Sequence, residues 1–322
     1  AQLQGLTITP PANSDADFSL TVTAISAEGG SEATTTAQFS VTVNPVADNP
    51  TVTVTNVTGN EDTAISLNIA TAVTDTSETI TNVTISGVPS GATLSAGTNN
   101  GNGTWTLTPA QLQGLTITPP ANSDADFSLT VSATSSEGGT SATTTSTFNV
   151  AVNAVADNPT VTVTDVTGNE DTAIPLNIAT AVTDTDGSES ITNITVAGVP
   201  NGATLSAGTN NGNGTWTLTP AQLTGLKITP ALNDSADFTL KVSATSTEGN
   251  TSATSAQVNL AVTVNGVADT PTVTVQTATG NEDTAIPLNI ATAVMMVDSL
   301  AAEMINLRKE FRCHQLVCHL LG

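Results

Sequence analysis

Carboxylate side chains recur at four positions that repeat along the chain, and their types and spacing suit a hard divalent cation. The first position is an Asp that precedes a proline, and the second is a Glu-Asp pair after Gly-Asn. The third is an Asp-rich loop, and the fourth is an Asp close to the start of a strand. Ca²⁺ takes roughly six to eight oxygen ligands, largely from carboxylates and loop carbonyls. The candidate Ca²⁺ ligands are therefore Asp48, Asp157 and Asp269; Glu61, Asp62, Glu170 and Asp171; Asp75, Asp184, Asp186 and Glu189; and Asp126 and Asp237.

The loop that runs Asp184-Thr-Asp186-Gly-Ser-Glu189 is the most specific of these candidates. Asp-x-Asp-Gly presents two carboxylates on one side of a turn, and carboxylates held close together repel one another unless a cation neutralises them. Asp, Asn and Gly are also ordinary turn and cap residues, so a solvated loop is the alternative for every position. The matching loop Asp75-Thr-Ser-Glu78 is two residues shorter and lacks the second Asp and the Gly. We predict weaker Ca²⁺ binding there, or none.

Internal repetition sets the organisation of the chain. The block GNEDTAI starts at Gly59, Gly168 and Gly280, which gives spacings of 109 and 112 residues. The first 22 residues recur unchanged at 110–131, and again in edited form from Ala221. A period of this length suits one whole domain per repeat rather than a helical or leucine-rich solenoid unit.

The local pattern within each repeat is typical of β-strands. Thr51–Val57 alternates Thr with Val, which buries one face of a strand and exposes the other. Asn100–Gly101 predicts the tight turn of a hairpin over Ala92–Thr108, and Asn211–Gly212 does the same in the next repeat. We predict an all-β chain of tandem antiparallel Ig-like β-sandwiches, with truncated repeats at both ends. A core position between the sheets is the favoured interpretation of Trp105 and Trp216, against a ligand-stacking platform.

The proline that comes after Val-Ala-Asp marks the domain boundaries, because proline suits a linker before a first strand. We expect residues 1–47 to be the C-terminal part of a repeat, 48–156 and 157–268 to be whole Ig-like repeats, and 269–294 to be the N-terminal part of another. Residues 295–322 depart from the repeat pattern.

Charge and composition exclude several classes of function. The net charge is −23, and Lys227 and Lys241 are the only basic residues before Val294. Such a surface repels phosphate backbones and anionic lipids, so we expect no nucleic acid as a partner. We also expect no membrane insertion, since no segment is long and apolar enough. The repeats contain neither His nor Cys, which removes Ser-His and Cys-His catalytic pairs, and we expect no enzyme.

The set VAD-x-P, GNEDT, TDTDGSE and GNGTWTLTPAQL, found within residues 1–294, resembles the tandem cadherin-like or Ig-like repeats of large bacterial RTX adhesins, which are biofilm-associated surface proteins. The resemblance implies secretion by a type I system and a place on the bacterial cell surface. It implies an extender, or stalk, in which Ca²⁺ stiffens the junctions between neighbouring repeats through Asp157, Glu170, Asp184 and Asp186. It also implies that other domains bind a host or surface ligand, in cell adhesion or biofilm formation. The chain departs from that family in having no glycine-rich nonapeptide array.

The alternative function is a carbohydrate- or ice-binding β-sandwich module. Rows such as Thr51, Thr53 and Thr55 would present a regular line of hydroxyls, although a solvent-facing strand side is far commoner. No short solenoid period supports ice binding.

The segment after Val294 changes composition abruptly. It holds both Cys and both His, in the pairs Cys313-His314 and Cys318-His319, whose spacing matches no standard zinc site. The codons GAT-GAT-GGT for Asp-Asp-Gly, entered one base late, encode Met-Met-Val, and these are the three residues directly after Val294 in this chain. We interpret the segment as an out-of-frame reading of the repeat array.

Overall fold

The structure is a computed structural model, and it describes residues 3–184 and 186–293. It divides into two compact units, Ala1–Val155 and Ala156–Gly322, which we describe separately. The described residues are 52% strand and 3% helix, which confirms the all-β prediction. The interpretation of the segment after Val294 concerns residues outside the described ranges.

Antiparallel sheets build the first unit. The strands are β1 Phe18–Glu28, β2 Ser31–Val41, β3 Thr51–Val54, β4 Val57–Asn60, β5 Ile65–Ser66, β6 Ile69–Ala72, β7 Thr79–Ser86, β8 Thr93–Leu94, β9 Thr98–Gly101, β10 Thr104–Leu107, β11 Thr116–Thr118, β12 Phe127–Glu137 and β13 Thr140–Asn153, with a 3-10 helix at Pro109–Leu112. The largest sheet has six strands in the order β4-β13-β12-β7-β10-β9, and it faces a three-stranded sheet β5-β11-β8 and a two-stranded sheet β3-β6. Strands β1 and β2 form a separate hairpin, and β4 pairs in parallel with β13.

Strict alternation along β12 and β13 places the core of this sandwich. Leu129 and Val131 of β12 and Val150 of β13 are fully buried, whereas the Thr and Ser residues between them face outward. The outward side chains pair across the strands, as in the contact of 3.0 Å between the hydroxyls of Thr130 and Thr147. Trp105 is only 9% exposed and packs in this core, which confirms the core interpretation of that residue.

The predicted hairpin turn was wrong by two residues. Strand β9 pairs with β10 around Asn102–Gly103, and Asn100–Gly101 lies at the end of β9 instead. Strand β8 pairs with β11 rather than with β10, so Ala92–Thr108 is not one hairpin. Either Asn-Gly pair suits a tight turn. The turn forms at Asn102–Gly103 because β10 also pairs with β7 along its other edge, and that pairing fixes the register of β10.

One position beside this hairpin requires glycine, because two backbone segments approach each other closely there. Gly87 has a φ of 84°, and a Cβ atom there would lie 2.5 Å from the carbonyl oxygen of Ser128. Gly114 also has a positive φ, of 70°, but an added Cβ would meet no atom within 4 Å. The two positions therefore separate a steric requirement for glycine from a purely conformational one.

The second unit repeats the same sandwich with one irregularity. The strands are β14 Thr160–Thr164, β15 Val166–Asn169, β16 Ile174–Pro175, β17 Asn177–Ala181, β18 Ser190–Ala197, β19 Thr204–Leu205, β20 Thr209–Gly212, β21 Thr215–Leu218, β22 Lys227–Thr229, β23 Phe238–Glu248, β24 Thr251–Thr254, β25 Val258–Asn265, β26 Thr272–Val275 and β27 Ile290–Ala293, with a 3-10 helix at Pro220–Leu223. The largest sheet of this unit has the order β15-β25-β23-β18-β21-β20, with β24 also paired to β23. The counterpart of β13 is split here into β24 and β25, because one extra residue bulges out near Ser255, whose hydroxyl accepts the Ala244 N–H at 3.0 Å.

The segments outside the two whole repeats form hairpins with exposed apolar side chains. In β1 and β2, Val22, Ile25 and Phe39 are 46%, 63% and 51% exposed. Val275 of β26 and Ile290 of β27 are likewise 68% and 55% exposed. Two strands alone bury too little apolar surface to form a core.

Candidate metal centre

One end of the second unit brings a loop and a hairpin tip side by side. The loop joins β17 to β18 and carries Asp184, Asp186 and Glu189, and the tip lies at Glu248, the last residue of β23. Strands β18 and β23 pair from Ser190 and Thr247 onward, so the residues just before β18 lie next to those at the end of β23. We call this end the acidic pole of the second unit and define it by Asp157, Asp184, Asp186, Glu189 and Glu248.

The Ser188 hydroxyl lies at the centre of the acidic pole. Its Oγ is 2.6 Å from Oε1 of Glu248, 3.3 Å from Oδ2 of Asp184, and in close contact with Oδ1 of Asp186. A serine hydroxyl has one hydrogen to donate, and an ionised carboxylate only accepts. Three carboxylates therefore converge on one proton, which leaves oxygen atoms in contact without a hydrogen between them.

Burial strengthens the mutual repulsion of these carboxylates. Asp184 and Glu248 are each 2% exposed, and one carboxylate oxygen of each lies within 4.8 Å of the other. Like charges at such distances repel more strongly when water is excluded. An arrangement of this kind fits a bound cation, which would neutralise the charges.

Glu189 connects the loop to the linker. Its Oε1 accepts the N–H of Asp157 at 2.7 Å, and the hydroxyl of Ser246 donates to the Asp157 carbonyl at 2.6 Å. The second oxygen of Glu189, Oε2, is buried and has no hydrogen-bond partner. A buried carboxylate oxygen without a partner is costly, and it is a suitable ligand for a hard cation.

Sequence reasoning missed Glu248, together with Glu137, its counterpart in the first unit. Each is the Glu of a Ser/Thr-Glu-Gly sequence at a hairpin tip, and the same Glu-Gly sequence occurs at Glu28. An acidic residue therefore recurs at a fifth position of the repeat, and this recurrence could have identified Glu248 from the sequence. The residue lies far from the Asp-rich loop in sequence, so only the pairing of β18 with β23 brings the two together.

The acidic pole of the first unit, defined by Asp48, Asp75, Glu78 and Glu137, has a different hydrogen-bond pattern. Oδ1 of Asp75 accepts from the hydroxyl and the N–H of Ser77, at 2.6 and 2.8 Å, and from the N–H of Glu78 at 3.1 Å. The Ser77 hydroxyl and these N–H groups hold the pKa of Asp75 below its ordinary value of 3.8, although partial burial opposes them. Glu78 accepts the Asp48 N–H with one oxygen and the Thr74 hydroxyl with the other. The two carboxylates of the shorter loop, Asp75 and Glu78, thus both accept hydrogen bonds from the protein.

The remaining candidates of the first unit lie at the opposite end of the sandwich, along β4 and β13. Oε1 of Glu61 accepts the Val155 N–H at 2.6 Å, and Oδ1 of Asp126 accepts the Val152 N–H at 2.8 Å. Asp62, in the left-handed conformation with a φ of 54°, accepts the N–H of Asn122. Glu61 and Asp126 thus hold the backbone at the end of β13, whereas Asp62 holds the loop before β12.

The second unit repeats this arrangement. Glu170 accepts the Val267 N–H at 2.6 Å, Asp237 accepts the Val264 N–H at 2.8 Å, and Asp171 accepts the Asn233 N–H at 2.8 Å. Asp269 is half-buried in the linker after β25. Asp237 directly precedes the eleven-residue strand β23, and Glu248 ends it; at about 3.3 Å per residue the two are roughly 36 Å apart. The structure therefore does not bring Glu170, Asp171 and Asp237 to the acidic pole of their own unit.

The matches to known proteins are solved structures of low sequence identity. No protein-family model matches the sequence, and no curated protein matches it. Among solved structures, human protocadherin-24 EC1-2 is 14% identical with a TM-score of 0.33, over 69% of this chain and 99% of that one. The Escherichia coli adhesin FdeC is 18% identical with a TM-score of 0.28, over 78% of this chain and 86% of that one. Titin domains Z1Z2, in complex with telethonin, are 14% identical with a TM-score of 0.26, over 69% of this chain and 100% of that one.

The whole repeats are all-β sandwich domains. Their antiparallel sheets pack face to face over one apolar core in each unit. Within residues 3–184 and 186–293, no helix is long and apolar enough to cross a membrane.

Proposed function

We propose that the chain is a structural extender, or stalk, of a bacterial cell-surface adhesin, and that Ca²⁺ at the acidic poles stiffens the junctions between its repeats. The observation that carries this proposal is the convergence of Asp184, Asp186 and Glu248 on the single proton of Ser188. A divalent cation relieves the repulsion among these oxygens. The ion then stabilises the loop in the conformation that gathers them.

The donor set favours Ca²⁺ over other metals. All the side-chain ligands at the acidic pole of the second unit are oxygens, from carboxylates and hydroxyls, and the repeats offer no His or Cys. Zn²⁺ prefers nitrogen and sulfur, whereas Mg²⁺ requires a small, near-ideal octahedron. A loop with Gly187 at a φ of 103° can wrap a larger ion with irregular coordination.

The first unit supports a role at the junction between repeats, because its acidic pole adjoins the end of the preceding repeat. A cleft of about 270 Å³ separates the two parts. The N–H of Ala47 in the linker donates to the Thr140 hydroxyl at 2.7 Å, and the Ser135 hydroxyl donates to the carbonyl of Asp48. The cleft is lined by Pro10, Asn13, Asp15 and Val43–Val46 of the preceding repeat and by Asp48, Asp75 and Glu137.

In a repeat with the longer Asp-rich loop, a cation bound in a cleft of this kind would contact oxygens on both sides of a linker and restrict bending there, whereas the shorter loop of the first unit is predicted to bind it weakly or not at all. The stalk then holds the adhesive domains of the parent protein away from the cell surface, where they bind a host or surface ligand. In this proposal the chain is secreted and extracellular, and it has no catalytic role. It supports cell adhesion or biofilm formation by its length and stiffness.

Thermal unfolding of the full chain, with Ca²⁺ and with chelator, tests the metal. Extracellular Ca²⁺ modules bind with dissociation constants of about 10⁻⁴ to 10⁻³ M, so Ca²⁺ at roughly 10 mM fills the sites. We expect the melting temperature to rise with Ca²⁺, because only the native state binds it. Asp184→Asn and Asp186→Asn should lose most of this rise.

Asp165→Asn is the matched control. Asp165 accepts the Ala261 N–H at 2.8 Å, and Asn56, at the same position in the first repeat, accepts the Asn149 N–H at 2.9 Å. The control therefore removes one negative charge and keeps the hydrogen bond. Equal Ca²⁺ effects in the control and in the two pole variants would contradict the proposed site. Small-angle scattering tests the stalk: a maximum dimension that does not change between Ca²⁺ and chelator would contradict the stiffening.

A further inference from the structure

We propose that each whole repeat carries a second ligand site, a neutral groove beside its tryptophan that takes a pyranose sugar. The site goes beyond the stalk role and does not involve Ca²⁺. It lies in equivalent positions in the two units, with a volume of about 590 Å³ in the first and about 540 Å³ in the second.

Two loops form the walls of this groove in the first unit. One wall is the segment 87–92 directly after β7, and the other is the β9–β10 hairpin with Asn99, Asn102 and Trp105. In the second unit the walls are 198–203 and the β20–β21 hairpin with Trp216. Ligand sites in proteins are typically clefts of about 300–1,000 Å³, so each groove is large enough for one sugar ring.

The groove walls are held together by the backbone. The N–H of Val88 donates to the carbonyl of Gly103 at 3.1 Å. A Cβ atom at Gly103 would lie 2.6 Å from the carbonyl oxygen of Val88, so only glycine allows the two walls to approach. The Gly101 N–H donates to Oδ1 of Asn99 at 2.8 Å, which fixes that amide. The corresponding bonds in the second unit have nearly the same lengths, and a groove held in this way needs little reorganisation to bind.

The chemistry of the lining selects a neutral, hydroxyl-rich ligand. No charged side chain lines either groove, in a chain whose net charge is −23. The Asn99 and Asn102 amides offer both donors and acceptors, as sugar hydroxyls require. The exposed edge of Trp105, 9% of the side chain and backbone surface, adds an apolar contact. A purely apolar ligand would cover the NH₂ groups of these amides without accepting their hydrogens, and a charged ligand would find no counter-charge.

Intrinsic fluorescence is a direct assay, because the chain has two tryptophans and each lines one groove. Trp216→Phe leaves Trp105 as the only reporter, and Trp105→Phe leaves Trp216. The full chain, in excess chelator, is titrated with D-glucose, D-galactose, D-mannose and N-acetyl-D-glucosamine. We expect a saturable change with at least one sugar, at a dissociation constant on the order of 1 mM for a shallow site.

Asn99→Asp tests the residue assignment. The aspartate keeps an acceptor for the Gly101 N–H and loses the amide donors, so we expect binding about fivefold weaker at Trp105. The same change in the other groove, Asn210→Asp, is the control and should leave the Trp105 titration unchanged. If Asn99→Asp does not fold, Asn102→Asp replaces it, since aspartate tolerates the left-handed conformation found there, at a φ of 50°.

Two results would overturn the sugar site. The first is the absence of a saturable response to every sugar, both in fluorescence and in saturation-transfer NMR of the sugar protons. The second is equal weakening by Asn99→Asp and Asn210→Asp at one reporter, which would place binding elsewhere. Either result leaves the Ca²⁺ proposal intact, because chelator is present throughout.

Discussion

Glu189→Gln has opposite expected effects with and without Ca²⁺. Glutamine keeps the oxygen that accepts the Asp157 N–H and removes the negative charge from the buried Oε2, which has no hydrogen-bond partner. In chelator the variant should therefore be more stable than the wild type. Added Ca²⁺ should stabilise the variant less than it stabilises the wild type, because the variant has lost a carboxylate ligand.

The magnitudes come from burial and mass action. The glutamine amide places a neutral NH₂ group where the charged Oε2 was, so the gain in chelator comes from removing a buried charge rather than a buried polar atom. A buried charge without a partner costs more than the roughly 1–3 kcal/mol of a neutral group, and Glu189 is 7% exposed, so we expect a gain of about 1–3 kcal/mol. At roughly 4 °C per kcal/mol, the melting temperature should rise by about 4–12 °C. The wild type should gain about 2.7 kcal/mol at a Ca²⁺ concentration of about 100 times its dissociation constant. A tenfold weaker site in the variant would reduce that gain by about 1.4 kcal/mol, or half.

The assay monitors unfolding of the second unit alone. In a Trp105→Phe background, Trp216 is the only tryptophan and lies in the core of that unit. Melting curves are recorded for the background and for its Glu189→Gln variant, each with Ca²⁺ and with chelator. Asp165→Asn, whose hydrogen bond survives the change, again serves as the control for loss of charge.

A lower melting temperature for Glu189→Gln in chelator would refute the reasoning, since it would mean that the carboxylate is stabilised without a cation. An undiminished Ca²⁺ effect in the variant would refute the assignment of Glu189 as a ligand. The control should show neither change.

Three further predictions concern the first unit. Inserting Asp-Gly between Thr76 and Ser77 copies the longer loop and should give the Trp105 reporter a larger Ca²⁺-dependent rise in melting temperature than the unmodified loop. The pKa of Asp75 lies below 3.8 in the folded state, so the carboxylate stabilises the fold above pH 3.8, and this stabilisation is lost as the pH falls through the lower folded pKa. An NMR titration measures that pKa. Asp75→Asn should remove this contribution to the loss of stability at acid pH. In denaturant unfolding, Gly114→Ala should cost about 1–2 kcal/mol from its positive φ alone, whereas Gly87→Ala should cost about 2 kcal/mol more because its Cβ meets a backbone carbonyl. Equal costs at the two glycines would contradict the steric explanation.

Periodicity was sufficient to predict the fold class, because alternation such as that of Thr51–Val57 reflects the two faces of a strand directly. It was insufficient for pairing. The choice between Asn100–Gly101 and Asn102–Gly103 as the turn depends on the register of β10 against β7, which is a contact between strands distant in sequence. Local propensity is the same for both pairs, so no window of sequence around them contains the answer.

The candidate site shows the same division between local and long-range information. Asp184 and Asp186 were recognisable because their spacing within one turn is itself the signal. Glu248 was missed because it lies 60 positions after Ser188, the residue of that turn that it contacts. The acceptor role of Asp126 was equally hidden, since the N–H that it accepts belongs to Val152 on another strand.

The parallel pairing of β4 with β13 has a mechanical consequence. The first of these strands lies near the start of a repeat and the second at its end, and they share four residue pairs from Val57–Val150 to Asn60–Asn153. Tension applied to the two ends of the repeat pulls these strands past each other along their length. Their hydrogen bonds are then loaded together, in shear, rather than one after another. Strands β15 and β25 have the same geometry, so each whole repeat resists extension at the points where force enters and leaves it.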